Sequence, residues 1–230
     1  MVCPLRATMS RIFTEEELAF PLLRGRLLHA FAEAVALNVD SDVARLKIID
    51  AYQEILAAPI WLRSHRLDTW RTVLDRTKMW IETHRHIFEQ VGVEVEAEVT
   101  IAEGMKLRGR IDRLEKTMDG DYHIVDFKSG TNSPSEKTIA DHIQLLTYQL
   151  ILHHGAFDGT KIRTARSTES GMTVDGATLV YPEKDTKKIW SITQAAKTEE
   201  QLAEFENQLP DLLQALRGPE LQAQRNPRCA

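Results

Sequence analysis

The sequence predicts a mixed α/β fold, in which a helical N-terminal region precedes a β-sheet core that is flanked by further helices. Apolar residues recur at helical spacing before about residue 90, whereas runs with strand-like alternation begin near residue 93. With 230 residues, of which 43% are hydrophobic, the chain can bury a sizeable core as one domain. We expect a helical part over residues 1–90 and a core with a C-terminal helix over residues 91–230.

Three helices are expected before the sheet. The first covers about residues 15–38 and contains Pro21, which should interrupt or kink it. The second begins at a Ser41-Asp42 cap and runs to about residue 57, before Pro59. The third runs to about residue 90 and carries four aromatic residues: Trp61, Trp70, Trp80 and Phe88. Aromatic side chains can stack on bases, but this spacing favours packing in a core or against a partner.

The strands of the core are predicted from two patterns. Residues 93–101 alternate with period two, which is typical of a half-buried strand. Two short apolar runs, 109–114 and 122–128, flank a polar turn with Asp119-Gly120, which predicts a hairpin. The remaining expected elements are a helix over 135–154, a polar loop over 158–175, strands over 177–181 and 188–192, and a helix over 199–216 capped by Thr198.

Two acids and a lysine interrupt the apolar pattern of the hairpin. Asp126 and Lys128 stand at i and i+2 of one strand and therefore share a face. If the hairpin pairs, Asp112 can lie beside Asp126. Such a wall suits metal-assisted phosphodiester hydrolysis, because Mg²⁺ prefers oxygen ligands and a lysine can orient water or neutralise developing charge. Acid–lysine pairs on strands are more often exposed, but these lie within apolar runs.

The helix over 135–154 adds two polar residues to this set. Gln144 and Tyr148 are four positions apart and therefore lie on one helical face, although this alone is typical of an amphipathic helix edge. The ordered set resembles the nuclease domain of the RecB/AddAB/AdnAB type in the PD-(D/E)XK superfamily. The matching segments are Gly109-x-Ile111-Asp112-Arg113, Ile124-Val125-Asp126-x-Lys128-Ser129-Gly130 and Gln144-Leu145-x-x-Tyr148.

Within this type, the chain is most similar to the actinobacterial AdnAB-type helicase–nucleases. The segments concerned are His142-x-Gln144-Leu145-x-x-Tyr148-Gln149-Leu150, Gly155-Ala156-Phe157 and Gly176-Ala177-x-Leu179-Val180-Tyr181. The resemblance implies a restriction-endonuclease-like fold and Mg²⁺- or Mn²⁺-dependent hydrolysis of DNA by water. It also implies single-stranded DNA ends as substrate, fed by a helicase motor in cis or in a partner subunit during double-strand-break repair.

The resemblance assigns roles to the residues of the hairpin and the helix. Asp112 and Asp126 would bind the metal, and the backbone carbonyl of Phe127 would add a ligand. Lys128 would orient the attacking water. The helix residues Gln144 and Tyr148 would position either the wall that carries Lys128 or the DNA strand.

Further metal ligands are implied upstream of the hairpin. The segment Gly25-x-x-x-His29 matches a Gly-x-x-x-His motif whose imidazole joins the metal site, although a lone histidine on an apolar helix is otherwise typical of a core. An imidazole ligand would favour Mn²⁺. In the family that the chain resembles, a further acid usually lies on the strand before the hairpin. In this sequence Glu94, Glu96 and Glu98 share one face of that strand. The position of Glu98 relative to Asp112 makes it the preferred candidate for this ligand, with Glu96 second. The simpler alternative is that the three glutamates form an exposed polar face of the strand.

Charge and hydropathy limit the possible partners. The formal net charge of −5 argues against a non-specific DNA-coating protein, but phosphate contacts need only a local basic stripe. The candidate residues for such a stripe are Arg24, Arg26, Arg108, Arg110 and Arg113. No apolar run reaches the ~20 residues needed to span a membrane, and no signal peptide is evident. We therefore expect a cytoplasmic protein without a membrane partner.

Two cysteines bear on the extent of the sequence. Cys3 with the following proline resembles the first iron–sulfur cysteine of the family, and Cys229 resembles the start of its C-terminal cysteine cluster. A 4Fe-4S cluster needs four thiolates, so it is expected only in a longer protein of which this sequence is a truncated part. The alternative is that both cysteines are incidental in a reduced cytosolic protein. The sequence also carries no phosphate-binding loop of a nucleotide motor.

Two other functions fit the same motifs. One is a free-standing nuclease of the CRISPR-adaptation type, which shares them. The other is a cleavage-inactive domain that binds DNA or docks on a partner. The presence of Asp112, Asp126 and Lys128 argues against the inactive domain.

Overall fold

The structure is a computed structural model that describes residues 19–101, 104–184, 186 and 188–217. Residues 20–197 form one compact unit, which includes three N-terminal helices and seven strands. The second unit, as far as it is described, comprises Ala19 and the segment 198–217. The predicted α/β fold with a helical N-terminal region is confirmed.

The N-terminal helices are α1 (Ala19–Ala36), α2 (Ser41–Ile55) and α3 (Ile60–His84). Pro21 lies in the first turn of α1, where its missing N–H breaks no helical hydrogen bond. The part of the expected helix before Ala19 lies outside the described residues.

The ends of α2 and α3 also differ from the prediction. The cap of α2 is Asp40, whose carboxylate accepts hydrogen bonds from the backbone N–H of Asp42 at 3.0 Å and Val43 at 3.1 Å. Helix α3 ends at His84, about six residues before the predicted end, because the chain from Glu89 onward pairs with a strand.

A hydrophobic core joins the N-terminal helices to the sheet. Its buried members on helices and strands include Leu28, Phe31, Leu74, Ile81, Val125, Phe127 and Val180. Trp80 meets Phe127 edge to face at a centroid distance of 5.5 Å, and Trp70 stacks on Tyr52 at 4.7 Å. Packing is thus the role of these two tryptophans, whereas Trp61 is 78% exposed. Since Leu28 and Phe31 are anchored in this core, the intervening turn of α1 is held against the sheet.

The described strands are β1 Glu89–Thr100, β2 Lys106–Lys116, β3 Tyr122–Phe127, β4 Gly155–Phe157, β5 Lys161–Thr164, β6 Val174–Tyr181 and β7 Trp190–Ala195. They form one seven-stranded mixed sheet in the order β4-β5-β1-β2-β3-β6-β7. The pairs β1/β5 and β3/β6 are parallel, and the other neighbours are antiparallel.

The predicted hairpin is confirmed as β2 and β3. Its turn includes Gly120 at φ 99°, a left-handed conformation that glycine adopts without steric cost. Arg113 pairs with Val125 in the ladder, so Asp112 and Asp126 are the next residues along each strand towards the open end. The hairpin register therefore brings the two acids together.

The single helix expected over 135–154 is divided into α4 (Glu136–Ile139) and α5 (Ile143–His154). The break is stabilised from a distant strand, since Gln194 Nε2 lies within hydrogen-bond distance of the carbonyls of Ile139, Ala140 and His142. Helix α5 then packs across the sheet and contacts strands β1 to β6.

The predicted loop over 158–175 contains the strand β5. The sequence pattern does not predict this strand, because the strand has only four residues and Ile162 is the one buried residue among them. The last helix, α6 (Glu199–Arg217), agrees with the prediction. Thr198 caps it, with its Oγ1 accepting from the Gln201 N–H at 3.3 Å while Gln201 Oε1 accepts from the Thr198 N–H at 3.1 Å.

Candidate active site

Three elements bring potential metal ligands together at one end of the hairpin: α1 with His29, β1 with Glu94 and β2 with Asp112. Nδ1 of His29 lies 3.2 Å from Oδ1 of Asp112 and 3.7 Å from Oε1 of Glu94. One ligand atom from each residue lies within 4.8 Å of the others, so a single cation could contact all three. The structure thus places the histidine of the Gly-x-x-x-His motif beside the first acid of the hairpin.

The glutamate at this cluster is Glu94, whereas the sequence favoured Glu98. Glu98 is exposed and pairs with Lys106 at 2.8 Å and Arg108 at 2.7 Å, away from the cluster. Glu94 has a left-handed φ of 49°, which is uncommon for a residue with a side chain, and its Oε2 also lies 2.7 Å from Nε of Arg110. Period-two alternation does not reveal such a local backbone change.

Asp112 also joins the two strands of the hairpin. Its Oδ2 accepts a hydrogen bond of 2.7 Å from the backbone N–H of Phe127, while its Oδ1 faces His29. This contact fixes the carboxylate where both the imidazole and the end of β3 can reach it. Asp112 is 8% exposed, so this residue itself has little contact with bulk water.

Asp126, Lys128 and Gln144 form a closed set of contacts next to this cluster. Gln144 Nε2 donates to Asp126 Oδ1 at 2.7 Å, and Lys128 Nζ donates to Gln144 Oε1 at 2.7 Å. Nζ of Lys128 also forms an ion pair with Asp126, at 2.7 Å from Oδ2. This oxygen is buried, and the ammonium of Lys128 is its charged neighbour.

Tyr148 supports this set from one turn further along α5. Its hydroxyl accepts from Gln144 Nε2 at 3.0 Å and donates to the carbonyl oxygen of Arg110 at 2.7 Å. Burial raises the pKa of Tyr148 to about 12, so the phenol keeps the proton that it donates. The ring fits because Gly109 has no side chain: an added Cβ would lie 2.9 Å from Cε1 of Tyr148.

The electrostatics of the cluster favour a positive charge at its centre. Burial opposes the charged imidazole, but the adjacent carboxylates of Asp112 and Glu94 outweigh it and raise the pKa of His29 to about 10. Burial, together with the negative charge of Asp112, raises the pKa of Asp126. A buried carboxylate whose charge is disfavoured in this way would be stabilised by a bound cation.

The donor set fits a divalent metal. Two carboxylates and one imidazole converge, and the hairpin register places the buried carboxylate of Asp126 beside Asp112. Carboxylate oxygens suit Mg²⁺ and Mn²⁺, and an imidazole is accepted more readily by Mn²⁺. His29, Glu94, Asp112 and Asp126 are the residues that would hold the ion, and the Phe127 carbonyl remains a predicted ligand.

The predicted basic stripe is only partly present at the surface. Arg113 is 1% exposed and lies 2.5 Å from Glu115, so its burial excludes the expected contact with DNA. Arg24 is half-buried in an ion pair with Glu183. The exposed members are Arg26, Arg108 and Arg110.

The predicted iron–sulfur cysteines and the expected absence of a membrane span concern other parts of the chain. Cys3 and Cys229 lie outside the described residues. Among the described helices, none combines the length and apolar composition that crossing a membrane requires.

Comparisons with known proteins bear on the family. No curated protein matches the chain. Among solved structures, the "Crystal structure of SSO0001" aligns over 86% of each chain with 15% identity and a TM-score of 0.30, from which nothing about activity follows. The family description "PD-(D/E)XK nuclease superfamily" matches residues 1–230, and the mixed sheet flanked by helices is consistent with its restriction-endonuclease-like fold. The chain therefore belongs to the PD-(D/E)XK nuclease superfamily.

Proposed function

We propose that this protein is a Mg²⁺- or Mn²⁺-dependent deoxyribonuclease of the RecB/AddAB/AdnAB type. The observation that carries the proposal is the junction of two groups: the ligand cluster of His29, Glu94 and Asp112, and the wall of Asp126, Lys128 and Gln144. Superfamily membership suggests a metal-dependent nuclease, and a nuclease domain implies a DNA substrate.

The residues of the wall have complementary roles in hydrolysis. When bound, a divalent metal would polarise the phosphate and lower the pKa of a water molecule. Lys128, which is ion-paired with Asp126, would orient the attacking water and neutralise negative charge that develops on the phosphate oxygens. Gln144 holds both Asp126 and Lys128 by hydrogen bonds, so it fixes the position of the carboxylate relative to the ammonium. Tyr148 in turn orients the Gln144 amide.

The assignment to the RecB type is supported by the contacts of Gln144 and Tyr148. These residues link α5 to both catalytic strands, through Asp126 on β3 and the Arg110 carbonyl on β2. From this likeness we propose single-stranded DNA ends as substrate and a helicase motor, in cis or in a partner subunit, that supplies them. Double-strand-break repair would be the setting.

The test is cleavage of labelled single-stranded and duplex DNA with Mn²⁺, Mg²⁺ or EDTA. We expect metal-dependent cleavage by the wild type and a loss of about 10²-fold or more in rate for Asp126→Ala and Lys128→Ala, because each removes a charge at the reacting centre. The matched controls are Asp119→Ala and Lys137→Ala, which change exposed residues outside the site and should leave the rate unchanged.

A loss of activity at the site must be distinguished from a loss of folding. Circular dichroism should show that both site variants remain folded. Full activity in the Asp126→Ala variant would refute the site assignment. A folded wild type that binds DNA without cleaving it under any metal condition would indicate a binding domain instead.

A further inference from the structure

A cavity of about 370 Å³ opens next to Lys128, between the loop that follows β3 and the end of β6. Its lining includes His29, Lys128, the segment 129–132 and Tyr181. This volume falls within the ~300–1,000 Å³ range of small-ligand sites. The described lining contains no acid and offers hydroxyl, amide and ammonium donors, so the cavity suits an anion.

The polar side chains of this lining are available to a ligand. Four of them form no hydrogen bond with the described part of the chain: Ser129, Thr131, Asn132 and Tyr181. Tyr181 is only 5% exposed, which leaves its ring little freedom to move. Burial, together with the charge of Asp126, raises the pKa of Tyr181, so its hydroxyl keeps a proton to donate.

The loop that forms one side of the cavity is tied to its surroundings. Gly25 on α1 comes so close that an added Cβ would lie 3.3 Å from Oγ of Ser129. At the other end of the loop, Lys184 Nζ donates to Ser133 Oγ at 2.6 Å and lies 3.8 Å above the ring of Trp190. A site with pre-positioned donors loses less entropy when a ligand binds.

We propose that this cavity binds a phosphate group of the nucleic-acid strand next to the phosphate that is cleaved, with Tyr181 and Ser129 as hydrogen-bond donors. The inference rests on the proposed nuclease function, since it assigns the cavity to the same substrate. Phosphate oxygens accept charge-assisted hydrogen bonds, and contacts of this kind position a strand without reading its sequence. The phosphate is either a terminal monoester or an internal diester, which share this chemistry.

The experiment measures equilibrium binding of 3′-labelled oligothymidylates that carry either a 5′-phosphate or a 5′-hydroxyl, with Ca²⁺ present as a hard cation for the same oxygen ligands. The variants are Tyr181→Phe and Ser129→Ala, which remove only a hydroxyl. Tyr122→Phe is the matched control, because Tyr122 lies at the opposite end of β3. We expect Kd to rise about tenfold in each cavity variant, the loss of one hydrogen bond to a charged group, and to stay constant in the control.

Each outcome decides the proposal. A rise in Kd for the 5′-phosphate oligonucleotide alone identifies a terminal phosphate, and an equal rise for both identifies an internal one. A Kd within twofold of wild type in both cavity variants overturns the proposal, as does a wild type that binds neither oligonucleotide. Equal thermal unfolding midpoints exclude a folding defect as the cause of weaker binding.

Cleavage with Mn²⁺ is measured in parallel and tests the proposed nuclease function separately. If the wild type cleaves, the cavity variants should raise KM about tenfold and leave kcat unchanged, since the contact exists before and during the reaction. Weaker binding by the variants without any wild-type cleavage would leave the cavity assignment standing while the nuclease proposal fails.

Discussion

At the scale of single residues, the backbone of Glu94 has the greatest consequence for the site. A non-glycine residue in the left-handed region costs on the order of 1–3 kcal/mol, and such strain persists where the surrounding structure enforces it. Here the conformation directs the carboxylate towards His29 and Arg110. The strained residue therefore coincides with the candidate metal ligands.

We expect Glu94→Gln to weaken Mn²⁺ binding by at least about tenfold, because it removes a charged oxygen ligand from the cluster. Titration calorimetry on the purified protein measures the change directly. The matched variant Glu98→Gln should bind Mn²⁺ as the wild type does, since Glu98 pairs with Lys106 and Arg108 instead. Weaker binding in Glu98→Gln alone would reverse this assignment.

At the scale of elements, the site depends on how closely α5 approaches β2. Gly109 on β2 leaves the space that the ring of Tyr148 occupies, and the tyrosine hydroxyl then reaches the next carbonyl of the same strand. Gln144, one turn earlier on α5, is thereby held against Asp126. The close contact between α5 and β2 therefore aligns the side chains of Asp126, Gln144 and Lys128.

Gly109→Ala should destabilise the protein by about 1–3 kcal/mol and reduce cleavage, because the added methyl group would overlap the Tyr148 ring. Urea unfolding gives the stability, and the DNA assay gives the activity. Combining it with Tyr148→Ala should remove most of the additional cost, since the clash partner is gone. Fully additive costs would show that the two residues do not interact.

At the scale of the whole molecule, a buried charge cluster joins the N-terminal helices to the sheet. Glu115 on β2 is fully buried, with its oxygens 2.5 Å from Nε of Arg113 and 3.2 Å from Nδ1 of His84 at the end of α3. A buried carboxylate needs such partners, because removal of one partner leaves an uncompensated charge. Arg113 therefore stabilises the fold from the residue next to Asp112.

This cluster predicts a loss of stability in acid. Burial favours the neutral carboxyl, but His84 and Arg113 outweigh it and lower the folded-state pKa of Glu115 below its ordinary value of 4.5. A lowered folded pKa means that the stabilisation is present above pH 4.5 and is lost as the pH falls through the folded value. Urea unfolding between pH 3 and 7 measures this slope.

The variant Glu115→Gln should flatten that slope and cost about 3–5 kcal/mol at neutral pH, because Arg113 is left buried without its counter-charge. Glu54→Gln, at an exposed position on α2, serves as the control and should keep both the slope and the stability of the wild type. An unchanged acid slope in Glu115→Gln would assign the acid sensitivity to other groups.

The sequence by itself determined the features that depend on local periodicity and chain connectivity. The Asp119-Gly120 turn predicts the β2–β3 hairpin, and the hairpin places Asp112 beside Asp126. Spacing of two along a strand and four along a helix likewise predicts which side chains share a face, as Asp126 and Lys128 do. These relations hold because they are set within a few residues of the chain.

Only the tertiary structure decided the features that depend on contacts between distant segments. The choice of Glu94 over Glu98 follows from the β1–β2 register: Val93 pairs with Arg113 and Val95 with Ile111, so Glu94 lies opposite Asp112, whereas Glu98 pairs with Arg108. The break between α4 and α5 is stabilised by Gln194, more than 50 residues later in the chain, and the burial of Arg113 follows from its pairing with Glu115 inside the sheet. Periodicity carries no information about such partners, because their energies arise only when the elements pack.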